Sequence, residues 1–498
     1  MAGYYLGIDQ GTTLTKAVLV DEHWQIVARA SKMHRNYYPE PGWVEQDPLE
    51  IYENCLAVTA EALRQISGAT ASDILAMGLN NQGETCCVWD RSSGLPVYNA
   101  IVWQDRRTSG MAELWQSQKG ERIREICGLV PDAYYSATKL AWILEHVPGA
   151  RKKFREGKLM MGTLNSYLFW RLTGGECYKT DPSSASCMML MDLRKTQWSQ
   201  ELLDLLEVSA DDLPEICDNT SIFGYTRSEN FLGARVPIGG SASDSSASII
   251  GGGCVGKDIL KTSYGTGNFM NLQTGGEAVF SGAGLLPVCL WRIGGKPYYA
   301  LRGACYSAGS AIDWLRDGLR ILDRPEDSEQ MARSVPDTHD VYFVPALVGL
   351  ATPFWDPYAR GAFLGLTPGV RREHMVRAVL ESVVYQVAYC YRIMQNETGT
   401  AGGVMRADGG IVKNSFVMQM QADMLGIPVE IPAEKETAAF GSACMAGVAI
   451  GAMSSIEEAG RFVRIRKSFE PRMSADEREE RLSRWLDAVN RSLGWAAK

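Results

Sequence analysis

The sequence predicts an α/β protein of two structurally related domains around a central cleft. Three features carry that prediction. The chain has 498 residues, too many for one ordinary hydrophobic core. Strand and helix signals alternate from the N-terminus to about Asp192, which is the pattern of an α/β fold. Two short Gly/Thr turns, Asp9-Gln10-Gly11-Thr12-Thr13 and Ser263-Tyr264-Gly265-Thr266-Gly267, each sit between strand-like segments, about half a chain apart.

The elements follow in order. Tyr4–Asp9 and Leu14–Asp21 read as strands joined by the first turn, a β-hairpin. Helical periodicity covers Pro48–Ile66, and Ile74–Leu79 reads as a buried strand. Asp258–Ser263 and Asn268–Gln273 form the second hairpin, just after Gly251-Gly252-Gly253. The boundary is placed there, giving domains 1–250 and 251–498. Ala407–Gly410 follows an apolar step and precedes a helical pattern over Asn414–Leu425. The charged stretch Ser474–Leu493 reads as a solvated amphipathic helix.

Composition narrows the partners. A formal net charge of -8 argues against nucleic acid, whose binders carry a basic footprint. No apolar run reaches the roughly 18–20 residues that span a bilayer, and the N-terminus lacks the basic and apolar regions of a signal peptide. The twelve cysteines are scattered without a C-x-x-C pair, and the five histidines form no H-x-x-x-H. Buried reduced thiols, no zinc site and a cytoplasmic protein are therefore expected.

Three Gly-rich elements carry chemistry. In Asp9–Thr13, glycine allows a tight turn close to an anion, threonine hydroxyls and free N–H groups donate to phosphate oxygens, and the preceding Asp9 can hold a water-shelled Mg²⁺. Gly265-Thr266-Gly267 repeats the argument for a second set of phosphates. In Asp408-Gly409-Gly410, followed by Asn414, small residues would let a purine approach the backbone. Each element alone also fits an ordinary turn; one per domain favours phosphate binding. Asp244, in a Ser/Asp-rich turn before the helical Ser245–Gly251, fits either a helix cap or a carboxylate base.

Tyr134-Tyr135-Ser136-Ala137-Thr138-Lys139-Leu140-Ala141-Trp142-Ile143-Leu144-Glu145-His146, with the blocks Pro41–Pro48, Ala100–Thr108 and Phe354–Gly361, resembles the signatures of the FGGY carbohydrate kinases. Within that family the glycerol kinases are most similar. The resemblance spans residues 4 to about 451. It implies two ribonuclease-H-like domains of the actin/Hsp70-like ATPase type, the first binding a polyol or sugar and the second the nucleotide. It implies ATP and Mg²⁺ as cofactors and transfer of phosphate to a hydroxyl. A homo-oligomer, a dimer, is the family expectation.

By the same resemblance, Asp9, Thr12, Thr13 and Lys16 would face the phosphates and metal, with Thr266 and Gly267 opposite. Gly309 and Asp313 would line the nucleotide cleft, and Gly410 and Asn414 would hold adenosine. Asp313 stands where glycerol kinases carry glutamine. Asp244 matches the catalytic base and, with Asp9, a carboxylate beside the metal. The acceptor pocket keeps Glu84, Trp103, Tyr134, Asp244 and Phe269. In Gln82-Gly83-Glu84, however, glycine replaces an arginine, and Ser245 replaces a glutamine.

Losing two donors and two long side chains should weaken glycerol binding and enlarge the pocket. A tetritol, pentitol or ketopentose is then the expected acceptor, with glycerol the alternative if other residues supply the donors. A Gly-Gln-Met-His motif of the xylulokinase kind is absent. Asn219–Val236 holds no Gly-Gly-Lys-Gly-Gly, so control by a sugar bisphosphate at such a loop is not expected. The rival classes are an ATPase without a small acceptor and a sugar-sensing pseudokinase.

Overall fold

Strand β1, Tyr4–Gln10, is buried along nearly its whole length, as a strand with neighbours on both edges must be. It turns through Gly11–Thr13 into β2, Leu14–Val20, with Asp9 opposite Lys16. β3, Ile26–Met33, closes this edge antiparallel to β2 and is largely exposed. Helix α1, Pro48–Arg64, starts where Asp47 accepts a hydrogen bond from Leu49 N at 2.8 Å and Pro48 pre-sets the first turn. Strand β4, Ile74–Asn81, runs parallel to β1. Helix α2, Ser136–His146, lies in a separate layer over a four-stranded sheet formed around Cys86–Asp90. β5, Pro237–Ser243, then joins β4 in parallel and leads directly into helix α3, Asp244–Gly251.

The second half repeats this plan. β6, Ile259–Tyr264, and β7, Asn268–Gly275, form the second hairpin, followed by β8, Leu286–Ile293, and β9, Lys296–Cys305. After helix α4, Gly309–Asp317, and the long buried α5, Arg372–Thr398, comes β10, Val404–Gly409, parallel to β6. Helix α6, Ser415–Leu425, leads to β11, Val429–Pro432; helix α7, Thr437–Ala449, to β12, Ile465–Phe469; and α8, Ala475–Ser492, ends the fold. The sheets read Gly224–Tyr225, β5, β4, β1, β2, β3 and β8, β9, β7, β6, β10, β11, β12. In each, antiparallel strands around a Gly/Thr hairpin meet parallel strands on the other side. This computed structural model describes residues 3–400 and 402–496, and it has the two-domain actin/Hsp70-like architecture expected from the resemblance.

The strands β3, β5, β8, β9, β11 and β12 were not predicted. The C-terminal helix is amphipathic as expected, but it is docked rather than only solvated. Leu482, Trp485, Ala488 and Val489 are buried, and Trp485 Nε1 donates to Phe343 O at 3.1 Å.

Helix α7 comes from the second half yet lies against the first sheet. Its backbone touches β1, β4 and α3 directly, because glycine stands at each crossing. A Cβ on Gly7 would lie 1.8 Å from Ala439 O, and one on Gly78 1.9 Å from Ser442 O. Gly251 and Gly441 are equally closed, at 1.9 Å from Thr437 O and 2.0 Å from Ala247 O. A methyl group at Gly7 must push backbone apart, so G7A should lose about 3 kcal/mol or more of stability. The change is read by urea unfolding, against G110A, where nothing lies within 4 Å of the added Cβ and stability should hold or rise slightly.

Candidate functional site

The ends of β1, β4, β5 and β6 meet at the mouth of a cavity of about 300 Å³. All eight predicted acceptor residues line it. Gln82, Gly83 and Glu84 follow β4; Asp244 and Ser245 open α3; Trp103, Tyr134 and Phe269 form the aromatic sides. Asp9 and Thr12 of the first turn share the same cavity, so the segment read as phosphate-binding and the residues read as acceptor-binding adjoin.

Burial dominates the electrostatics. The Asp9 carboxyl is pushed up to about 7, first by desolvation and further by Asp244 and Glu436, with Lys16 opposing. Desolvation also raises Glu84 and Asp244, and Arg302 pulls both back. Carboxylates gathered in one cleft and raised by desolvation suit a hard cation. Among the described residues no cluster of three or more His, Cys, Asp or Glu side chains forms a metal cage. Mg²⁺ does not need one, since one or two carboxylates plus phosphate oxygens and water satisfy it. Asp9 and Asp244 therefore fit the metal position.

Asp244 is the first residue of α3, with Ser243 at the cap. The cap reading is corrected accordingly: the Asp244 carboxylate accepts from Ser245 N at 2.6 Å and lines the cavity. Trp103 joins the two parts of the site. Its indole N–H donates to Thr12 Oγ1 at 2.8 Å, and its ring meets Tyr134 edge-on at 5.7 Å. Thr12 is held further by Gln46 Nε2, 2.7 Å from its carbonyl oxygen, and by the His34 ring at 2.8 Å.

A second cavity, of about 400 Å³, holds Thr266, Gly309, Asp313, Gly410 and Asn414. Ser263 lines the first cavity and Tyr264 the second, so the two adjoin at the end of β6. Asn414 is also the cap of α6; its Oδ1 accepts from Phe416 N and Val417 N at 3.1 Å. Asp313 pairs with Arg316 at 3.1 Å.

Three predicted residues line neither cavity. Thr13 is exposed in its turn. Lys16 points to Glu436, 2.7 Å away, and stands 4.0 Å from Asp9. Gly267 shapes the second turn: its carbonyl accepts from Gly265 N at 2.9 Å, and a Cβ there would lie 2.4 Å from Cys305 O.

Side chains of other elements lie against both Gly83 and Ser245. A Cβ on Gly83 would lie 2.7 Å from the Cys187 sulfur, so that space is filled. Ser245 Oγ accepts from Arg302 Nη2 at 3.0 Å, so a guanidinium reaches the serine. Arg302, Asn271, Lys261, Ser263 and Cys187 line the cavity and were missed in the sequence. Asn271 was within reach, being two residues from Phe269 on a strand and hence on the same face. Arg302 sits opposite Asn271 on β9, which was not predicted.

The fold is that of the actin/Hsp70-like ATPases, with two adjoining cavities in its cleft. The N-terminal domain profile of the FGGY family of carbohydrate kinases matches residues 4–251, and the C-terminal domain profile matches 260–450. The chain belongs to that family and is a carbohydrate or polyol kinase. It is 45% identical over 493 residues to glycerol kinase 2 of Thermotoga maritima, covering 99% of each chain. It is 44% identical over 497 residues to a glycerol kinase of Caldanaerobacter subterraneus, covering 100% of each. The structure superposes on Plasmodium falciparum glycerol kinase with ADP at a TM-score of 0.93, with 32% identity, covering 99% of this chain and 98% of the other. A xylulose kinase from Lactobacillus acidophilus shares the fold at a TM-score of 0.87, with 24% identity and 98% of both chains covered.

W103F keeps an aromatic side on the cavity and removes the hydrogen bond to Thr12. Steady-state kinetics should show kcat reduced about fivefold, the effect of one neutral hydrogen bond, with a smaller change in KM for the acceptor.

Proposed function

We propose that this kinase transfers the γ-phosphate of ATP to a terminal hydroxyl of glycerol. The observation that carries the reading is the convergence of Asp9, Thr12, Glu84, Trp103, Tyr134 and Asp244 on one cavity, adjoining a second that holds Thr266, Gly410 and Asn414. In this reading the nucleotide lies in the second cavity with its phosphates towards Thr12 and Thr266. Asp9 and Asp244 would hold Mg²⁺, which neutralises phosphate charge when bound. Asp244 accepts the proton of the attacking hydroxyl, while Glu84, Tyr134 and Trp103 orient the acceptor. Positioning and charge neutralisation supply most of the rate, and a cleft between domains excludes competing water.

Glycerol is favoured over a longer polyol for two reasons. Relatives over the whole chain are named glycerol kinases. The larger-pocket argument is also weakened, since Cys187 lies against Gly83 and Arg302 donates to Ser245.

Two experiments test the proposal. In a coupled ADP-release screen over glycerol, erythritol, threitol, pentitols and ketopentoses, glycerol should give the highest kcat/KM. A tetritol or pentitol ahead of it by tenfold or more would restore the longer acceptor. D244N should still bind ATP by calorimetry, with Asp9 left to hold the metal, and lose phosphoryl transfer by about 10²–10⁴-fold, the range for a general base. Near wild-type turnover would remove Asp244 from that role.

A further inference from the structure

The acceptor cavity is rich in hydrogen-bond acceptors, and its uncommitted side-chain donors are few: the Tyr134 hydroxyl, Asn271 Nδ2 and the Arg302 guanidinium line it without full protein partners among the described residues. Glu84 and Asp244 contribute carboxylates, and the Oε1 atom of Gln82 is buried without a partner. Two other donors are committed. Trp103 Nε1 is bound to Thr12, and Lys261 is held by Asp408 at 2.7 Å and Ser263 at 3.0 Å. Gly83 offers no side chain. A polyol hydroxyl both donates and accepts, so acceptors alone bind it incompletely.

Arg302 adds a charged donor on this cavity that keeps a free N–H among the described residues. Its Nε donates to Asn271 Oδ1 at 3.0 Å and its Nη2 to Ser245 Oγ at 3.0 Å. Two bonds to separate elements fix the plane of the guanidinium. Nη1 has no protein partner among the described residues, and the side chain lines the cavity. Its charge is felt by Glu84 and by Asp244, which places the fork among the groups that would hold the acceptor. Arg302 also stands on β9 of the second half, whereas Gln82, Glu84 and Asp244 belong to the first.

We propose that Arg302 is a specificity-determining residue that donates from the second half of the chain to a non-reacting hydroxyl of the acceptor. Recognition of the acceptor then spans both halves of the cleft, and a polyol lacking that hydroxyl leaves the Arg302 fork unpaired. This inference rests on the kinase reading of the cavity given above.

The test compares kcat/KM for glycerol, propane-1,2-diol and propane-1,3-diol in the wild type, R302M and R302Q. The wild type should prefer glycerol to at least one diol by about tenfold or more, the effect of a hydrogen bond to a charged group. Both variants should lower that preference about tenfold while KM for ATP stays within about twofold. Melting temperatures show that the variants are folded, and R302Q retains a shorter polar side chain if R302M does not fold. Equal losses for all three acceptors, with the preference kept, would mean that Arg302 only holds Ser245 and Asn271, and would overturn the inference. A wild type that phosphorylates none of a wider polyol panel would instead overturn the functional reading beneath it.

Discussion

The site depends on one contact, the backbone of helix α7 lying directly on β1, β4 and α3. Side chains normally hold packed elements about 10 Å apart. Glycine at positions 7, 78, 251 and 441 removes that spacing and lets a helix of the second half join the first sheet. The core beneath is shared: Tyr5, Val18, Ala242 and Ile250 of the first half pack with Leu290, Trp291, Ala443 and Met445 of the second. A polar joint tops the crossing. Asp408 Oδ2 accepts from Lys261 at 2.7 Å, from Thr437 at 3.2 Å and from Ser248 of α3 at 3.3 Å. The crossing thereby brings Asp244, at the start of α3, beside Asp9 at the end of β1.

A second buried anchor holds the far side of the acceptor cavity. The Arg107 side chain is fully buried, pairs with Glu45 and Asp105 at 2.8 Å, and lies 3.8 Å from the centre of the Trp43 ring and 4.7 Å from that of Trp142. Three of the blocks that carry the family resemblance, Pro41–Pro48, Ala100–Thr108 and Tyr134–His146, meet at this one cation. Desolvating such a cluster is costly, so its contribution to net stability is small. Its effect is geometric: it ties the segment after Trp103 to Pro41–Asp47 and to α2, and so sets where Trp103 meets Thr12. The same low-polarity surroundings raise the carboxylates of the cleft and make cationic partners, protein or metal, matter there.

The amino-acid sequence by itself determined the local elements and their chemistry. The hairpins around Gly11–Thr13 and Gly265–Gly267 were legible because turn residues and strand periodicity act over a few positions. The eight acceptor residues and six of the nucleotide residues were legible through motif resemblance, and they converge on two adjoining cavities. Tertiary structure alone decided what fills the space around Gly83 and Ser245. Cys187 and Arg302 lie 104 and 57 positions away along the chain from the residues they serve, and nothing local links them. Their proximity follows from strand register between β7 and β9 and from packing across the two halves, which are long-range properties of the fold. For that reason Gly83 and Ser245 read as empty space in the sequence, whereas in the structure Cys187 and Arg302 lie against them.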